Sequence, residues 1–282
     1  MSDLKSSLSL AKQKKIALLT EYDGSLFYGW QYQPEKRTVQ KVLADALLEL
    51  TGEEQIQLVG CSRTDAGVHA RGHVSHFTTF SRIPEDRWPL ALNRILPSDV
   101  SVREAVITTK AFHARRHACG KIYSYQIFND RIRPAINRQY LTHVPGKFDL
   151  DAMMQAVPYL IGRHDFRAFC DTGSSAVTTV RTIKKIRLLI REPYVRFYFQ
   201  GDGFLYHMVR IMVGTLLAVA QNKLEAATVE QIIQTKDRRL AGKTMPPEGL
   251  CLEHVIYEPA LFSKWREPVS EEGELDVQYE ME

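Results

Sequence analysis

Apolar and polar positions along the chain follow two periods, one of alternation and one of helical spacing, and the two succeed each other in a regular order. Lys15 to Thr20 reads as a strand, followed by a polar, glycine-containing turn. From Thr38, the apolar residues Val39, Val42, Leu43, Ala46, Leu47 and Leu50 recur at helical spacing, and Gly52 ends the run. Ile56 to Cys61 and His73 to Phe80 read as strands, Pro84 opens a helix to about Leu96, and Val100 to Thr108 closes the half as a strand. The order is β-α-β-β-α-β, the split βαβ or ferredoxin-like unit.

The second half repeats that order without repeating the sequence. Lys121 to Phe128 alternates as a strand, with Tyr123 and Tyr125 on one face. Leu150 to Ile161 is a helix that Pro158 bends near its end. Val180 to Arg191 and Tyr194 to Gln200 form a hairpin around Glu192-Pro193. A strongly apolar helix over Leu205 to Ala220, a shorter one near Val229 to Thr235, and a last strand over Cys251 to Tyr257 complete the half. The expected fold is therefore α+β: two ferredoxin-like (βαββαβ) lobes with antiparallel sheets and a cleft between them. The expected boundaries are a flexible N-terminus over 1–14, a first lobe over 15–112, a second over 113–262 and an acidic tail over 263–282. The junction falls near Lys110 to Gly120.

Composition narrows the class. At 282 residues, with 44% hydrophobic and 25% charged residues, the chain can bury one large core or two smaller ones. Its longest apolar run, Ile211 to Ala220, is about half the length of a membrane span, and Met1 to Lys15 lacks the apolar core of a signal peptide. Cys61, Cys119, Cys170 and Cys251 are scattered, as reduced thiols would be, so a cytoplasmic location without membrane contact is expected. The net charge of +4 conceals an asymmetry, since the last 13 residues hold six acids and no Lys or Arg. Without those six acids the rest of the chain carries +10. Basic residues gather in two stretches, one with Arg115, Arg116, Lys121, Arg131, Arg133 and Arg138, the other with Arg181, Lys184, Lys185, Arg187, Arg191 and Arg196. Such clusters fit a polyanion partner, and equally a solvated basic surface. The acidic tail reads as a flexible end.

The residue run with most chemistry in it is Arg63-Thr64-Asp65-Ala66-Gly67-Val68-His69-Ala70. It sets a carboxylate on a short loop between two apolar strands, where scaffolds present reactive groups. The same residues also fit an ordinary Asp-containing turn. Other arrangements lead nowhere. His69, His73 and His76 lack the companion ligands of a metal site, and alternation puts His73 and His76 on opposite faces, so no metal is expected. Gly201-Asp202-Gly203 lacks the third glycine of a dinucleotide loop. Asp171-Thr172-Gly173 has the form of an aspartic protease triplet, but the flanking pattern is too helical for that fold.

The eight-residue run resembles the signature of the TruA family of tRNA pseudouridine synthases, and other segments resemble the family in the same order. These are Tyr22-Asp23-Gly24-Ser25 with Phe27-Tyr28-Gly29-Trp30-Gln31, His73-Val74-Ser75-His76-Phe77, and Phe112-His113-Ala114-Arg115 with Lys121-Ile122-Tyr123-Ser124-Tyr125. Gly203-Phe204-Leu205-Tyr206-His207-Met208-Val209-Arg210 with Val213-Gly214, and Glu248-Gly249-Leu250, complete the series. Cys61-Ser62 stand where small residues such as Ala-Gly are usual, and His73 where glutamine is common.

The resemblance implies an isomerase that breaks the N1–C1′ bond of uridine and rejoins the base through C5, a reaction needing no cofactor. It implies Asp65 as the catalytic carboxylate, acting as nucleophile or as base, with Tyr123 and Arg210 as the other catalytic residues. Arg210, carried from the second lobe, would oppose the rise in pKa that burial under a uracil ring imposes on Asp65. Arg63, His69 and His207 are expected to bind substrate with Tyr123, and Arg63 to occupy the space left by a flipped base. The implied partner is tRNA, at positions 38 to 40 of the anticodon stem-loop, and the implied assembly a homodimer. A non-catalytic RNA-binding or RNA-folding protein, or a paralogue modifying another RNA, stand as the alternatives.

Overall fold

The computed structural model describes residues 12–174, 176–262 and 275–281. The chain divides into two compact units, which among these residues are 12–119 with 254–262, and 120–253 with 275–281. Both are mixed α+β.

The first unit contains β1 (Lys14–Tyr22), α1 (Val39–Thr51), β2 (Val59–Gly60), β3 (His69–Thr79), α2 (Trp88–Leu92) and β4 (Val100–Thr108). Its strands are antiparallel in the order β4-β1-β3-β2. The central strand explains the unalternating run in its sequence, because Ile16, Ala17, Leu18 and Leu19 are all buried. Thr38 caps α1 by accepting from Lys41 N, and Gly52 ends it in the left-handed conformation at φ 68°. Val39, Leu43, Ala46 and Leu47 form its buried stripe. On α2, the fully buried Trp88 meets Phe77 of β3 edge-on, with ring centroids 5.3 Å apart.

Two elements are shorter than the pattern predicts. The strand expected over Ile56 to Cys61 is reduced to Val59–Gly60, because Gln40 Nε2 donates to Leu58 O at 2.9 Å and takes that carbonyl out of the ladder. The helix expected over Pro84 to Leu96 is a 3-10 turn, Glu85–Arg87, followed by the single helical segment α2. Asn93 ends it by exchanging two hydrogen bonds with the Val102 backbone, 2.9 and 2.8 Å, which ties the helix end to β4.

The second unit contains β5 (Gly120–Phe128), β6 (Thr142–His143), α3 (Leu150–Ala156), β7 (Gly162–Asp165), β8 (Val180–Arg191), β9 (Tyr194–Gly201), α4 (Met208–Ala220) and α5 (Thr228–Thr235). β8 and β9 form the expected hairpin, and β5 pairs antiparallel with β9. The short strands β6 and β7, absent from the sequence reading, flank β5 and β8. Pro158 acts as expected: α3 stops at Ala156 and a 3-10 turn, Val157–Leu160, follows. α4 is buried almost all round, as a helix without a polar stripe must be. A further strand, β10 (Leu250–Ile256), crosses the boundary in the chain, with residues 250–253 in the second unit and 254–256 in the first.

The acidic tail needs correction. Residues 1–11 of the expected N-terminal segment, and 263–274 and 282 of the tail, lie outside the described residues. Within the tail, β11 (Leu275–Glu280) pairs antiparallel with β8 rather than hanging free. Charge supplies the reason. Asp276 receives the Arg187 guanidinium in a two-pronged contact, Nε to Oδ1 at 2.8 Å and Nη2 to Oδ2 at 2.7 Å, and Lys185 Nζ lies 2.7 Å from Glu280.

Candidate active site

The loop that carries Asp65 is held on both sides by its own unit. Thr64 is buried, its hydroxyl 2.8 Å from the Tyr22 hydroxyl, and its carbonyl accepts from Trp30 N at 3.1 Å. Asp65 O accepts from Val68 N at 3.1 Å, and Gly67, at φ 79°, donates its N–H to Phe27 O at 3.2 Å. The clasp works only because glycines face it. A Cβ on Gly29, itself at φ 82°, would lie 2.4 Å from Thr64 O, and one on Gly24 would lie 2.0 Å from Val68 O. The Asp65 side chain is left half-buried at the crown of a fixed turn.

Beneath the loop, His73 stacks on Trp30 at 3.6 Å, and its Nε2 lies 3.1 Å from Ser62 O. The histidine that departs from the family pattern is thus a floor for the loop. His69, expected to bind substrate, is buried at 6% exposure, and its Nδ1 receives the Gly24 N–H at 3.0 Å. Asp23 Oδ1, 3.1 Å from the same Nδ1, caps Ser25 N at 2.9 Å. Arg63 is exposed. His76, on β3, accepts from Ala114 N at 3.2 Å, and burial, helped by the nearby His113 and Lys15, lowers its pKa to about 4.

In the second unit, Tyr123 and Tyr125 share a face of β5 but differ in their surroundings. The Tyr125 hydroxyl is 2.6 Å from Thr142 Oγ1 and donates to Pro246 O at 2.8 Å, and its burial pushes its pKa up. Tyr123 meets the ring of Phe204 edge-on at 5.1 Å. Arg210 lies half-buried in the first turn of α4, where its Nε donates to Met245 O at 2.6 Å and its carbonyl accepts from Met245 N at 3.3 Å. His207 caps that helix with φ 61°, stacks on Tyr206 at 3.7 Å, and sets its Nδ1 2.8 Å from Asp171 Oδ2.

Asp171 is the residue that the sequence reading set aside. Its carboxylate also accepts from Arg238 Nε at 2.9 Å and from the Thr244 hydroxyl at 2.8 Å. Burial acts to raise its pKa, but the bonds from His207, Thr244 and Arg238 outweigh burial and hold the group at about 2. Its Asp-Thr-Gly setting was the one available signal, and it pointed to other chemistry. Of the residues expected to act, Asp65, Arg63 and His69 belong to the first unit, and Tyr123, Arg210 and His207 to the second. His207 and Arg210 stand together at the start of α4.

A family model described as tRNA pseudouridine synthase matches residues 18–115 and 156–258. A protein named tRNA pseudouridine synthase A from Caldicellulosiruptor bescii is 45% identical over 244 residues, covering 86% of this chain and 100% of the relative. Its namesake from Moorella thermoacetica is 48% identical over 244 residues, covering 86% of this chain and 99% of the relative. A third, from Acetivibrio thermocellus, is 46% identical over the same 244-residue length, with 86% and 100% covered. No described helix is long and apolar enough to cross a membrane.

Proposed function

This chain belongs to the tRNA pseudouridine synthase family, an isomerase family, and from that premise we propose that it converts uridine to pseudouridine in the anticodon stem-loop of tRNA, at positions 38 to 40, with Asp65 as its catalytic carboxylate. The observation that carries this reading is the clasp around Asp65. Its loop is fixed through Thr64, Gly67 and Val68, yet its side chain remains half-buried rather than sealed. A rigid scaffold presenting one carboxylate is what a reaction at a single sugar–base junction requires.

In the reaction the N1–C1′ bond breaks, the uracil turns, and a C5–C1′ bond forms. The proton lost from C5 is balanced by one gained at N1, so nothing is consumed. Asp65 acts as nucleophile or base, Tyr123 stacks on the base and takes or relays the C5 proton, and Arg210 supplies positive charge that favours an ionised carboxylate. Arg63 fills the gap left by the flipped nucleotide, and His69 and His207 contribute to substrate binding. His69 does so through the loop it braces. The two basic stretches follow the phosphates. The strand order β4-β1-β3-β2, with α1 after β1 and α2 after β3, supports a ferredoxin-like first lobe, and the second is assigned by the same pattern. A cytoplasmic homodimer completes the reading.

The test is tritium release from tRNA transcripts labelled at C5 of uridine. Wild type is expected to release label, Asp65→Ala to release none, and transcripts lacking uridine at 38 to 40 to release none with either. Full release by a folded Asp65→Ala variant overturns the assignment.

A further inference from the structure

We propose that Asp171 is a positioning residue for Arg210, acting through the segment 238–245, an inference that rests on the reading of Arg210 as an active-site arginine. Arg210 Nε donates to Met245 O at 2.6 Å, which ties the guanidinium to that carbonyl. Residues 242–246 are neither helix nor strand, so no ladder holds that carbonyl in place. Besides the bond from Met245 N to Arg210 O at 3.3 Å, side chains hold the segment. Arg238 sends Nη1 to Gly242 O and Nη2 to Thr244 Oγ1, each at 2.9 Å, and its Nε to Asp171 Oδ1, also at 2.9 Å. The Thr244 hydroxyl accepts from Arg238 and donates its own proton to Asp171 Oδ2 at 2.8 Å.

The same oxygen, Oδ2, also receives His207 Nδ1 at 2.8 Å, so Asp171 joins the cap of α4 to the segment that aims Arg210. Close backbone contact locks the segment further along the helix. A Cβ on Gly214 would lie 1.9 Å from Lys243 O, and Gly242 N donates to Thr215 Oγ1 at 2.8 Å. These contacts fix where the segment crosses α4. Asp171 fixes the stretch that runs from there to Met245. Three donors converge on one carboxylate, so an asparagine of the same shape would turn an amide donor toward at least one of them. A small error in the Met245 carbonyl then becomes an error in the guanidinium, and misplacement on the ångström scale slows chemistry far more than binding.

The experiment is a double-mutant cycle in the full chain, using single-turnover and steady-state rates on tRNA transcripts. Asp171→Asn is expected to lower kcat roughly 10-fold and to leave KM within about 2-fold. Arg210→Lys, which removes the Nε donor, is expected to lower kcat at least as much. If Asp171 acts through Arg210, the double variant is no slower than Arg210→Lys alone, whereas a merely structural role makes the two losses multiply. Multiplying losses, an Asp171→Asn effect confined to KM, or an unchanged kcat in that variant overturn the proposal while leaving Arg210 in its role. An unchanged kcat in Arg210→Lys instead overturns the reading of Arg210 itself. Should Asp171→Asn fail to fold by circular dichroism, Thr244→Val takes its place in the cycle, with a kcat loss of about 3-fold and the same rule of non-additivity.

Discussion

Around Asp65 the ties are backbone hydrogen bonds, stacked rings and glycines that let two loops touch, whereas around Arg210 they converge on an ionised carboxylate. The first arrangement depends on shape. Thr64 and Val68 stay where they are because Gly29 and Gly24 leave room for their carbonyls, and His73 lies flat on Trp30. The second depends on charge as well as shape, since His207, Arg238 and Thr244 all donate to Asp171. The difference teaches that one chain can fix two side chains by means that respond to different perturbations. A cavity-scale clash should damage either, but acid should reach them at different pH.

The largest effect should come from Gly214→Ala. Its Cβ would meet the Lys243 carbonyl at 1.9 Å inside a helix that cannot move aside, so the cost should be about 3 kcal/mol. Equilibrium denaturation measures it, and a loss below about 1 kcal/mol would mean that shape matters less in the second unit than argued. Next comes Gly29→Ala, with a left-handed φ of 82° and a contact of 2.4 Å to Thr64 O. A loop yields more readily than a packed helix, and about 2 kcal/mol is expected, together with a fall in kcat because the strain falls on the Asp65 loop.

The smallest effect is the one that separates the two regions. His76 and His254 of the first unit have their pKa lowered by burial to about 4, so an unfolded chain binds protons there from pH 6.5 downward while the folded chain does not. Stability is expected to fall between pH 6.5 and 4 from this source. Asp171, held at about 2 in the folded chain, contributes stability that is complete above the ordinary carboxylate value of 3.8 and is lost as pH falls from there toward 2. Denaturation midpoints at closely spaced pH values should therefore decline in two stages. Asp171→Asn should remove part of the lower stage and spare the upper one.

Legibility from sequence follows the range of the interaction. Helical spacing from Val39 to Leu50, the hairpin of β8 and β9 and the apolar helix α4 are local patterns, and they predict their elements closely. The shortening of β2 is not local, because it depends on Gln40 capturing Leu58 O from a helix 18 residues away. Asp171 is less legible still. Its partners stand 36, 67 and 73 residues away, and no period connects them. The loop of Asp65 stands apart, because its residues alone fit an ordinary turn equally well and only their resemblance to a family signature singles it out. The floor under it was not legible, since a histidine at position 73 is ambiguous until Trp30 is found stacked on it.

β11 lies at the outer end of the strand order in the second unit, next to β8. Without it, β8 would offer a run of unpaired N–H and C=O groups together with Leu188 and Ile190, the kind of border onto which another molecule can add a strand. With it, those β8 groups are paired, and Asp276 and Glu280 meet Arg187 and Lys185 of the strand they cover. The strand therefore closes this run of β8 to further pairing and holds its place by charge matched across the pair.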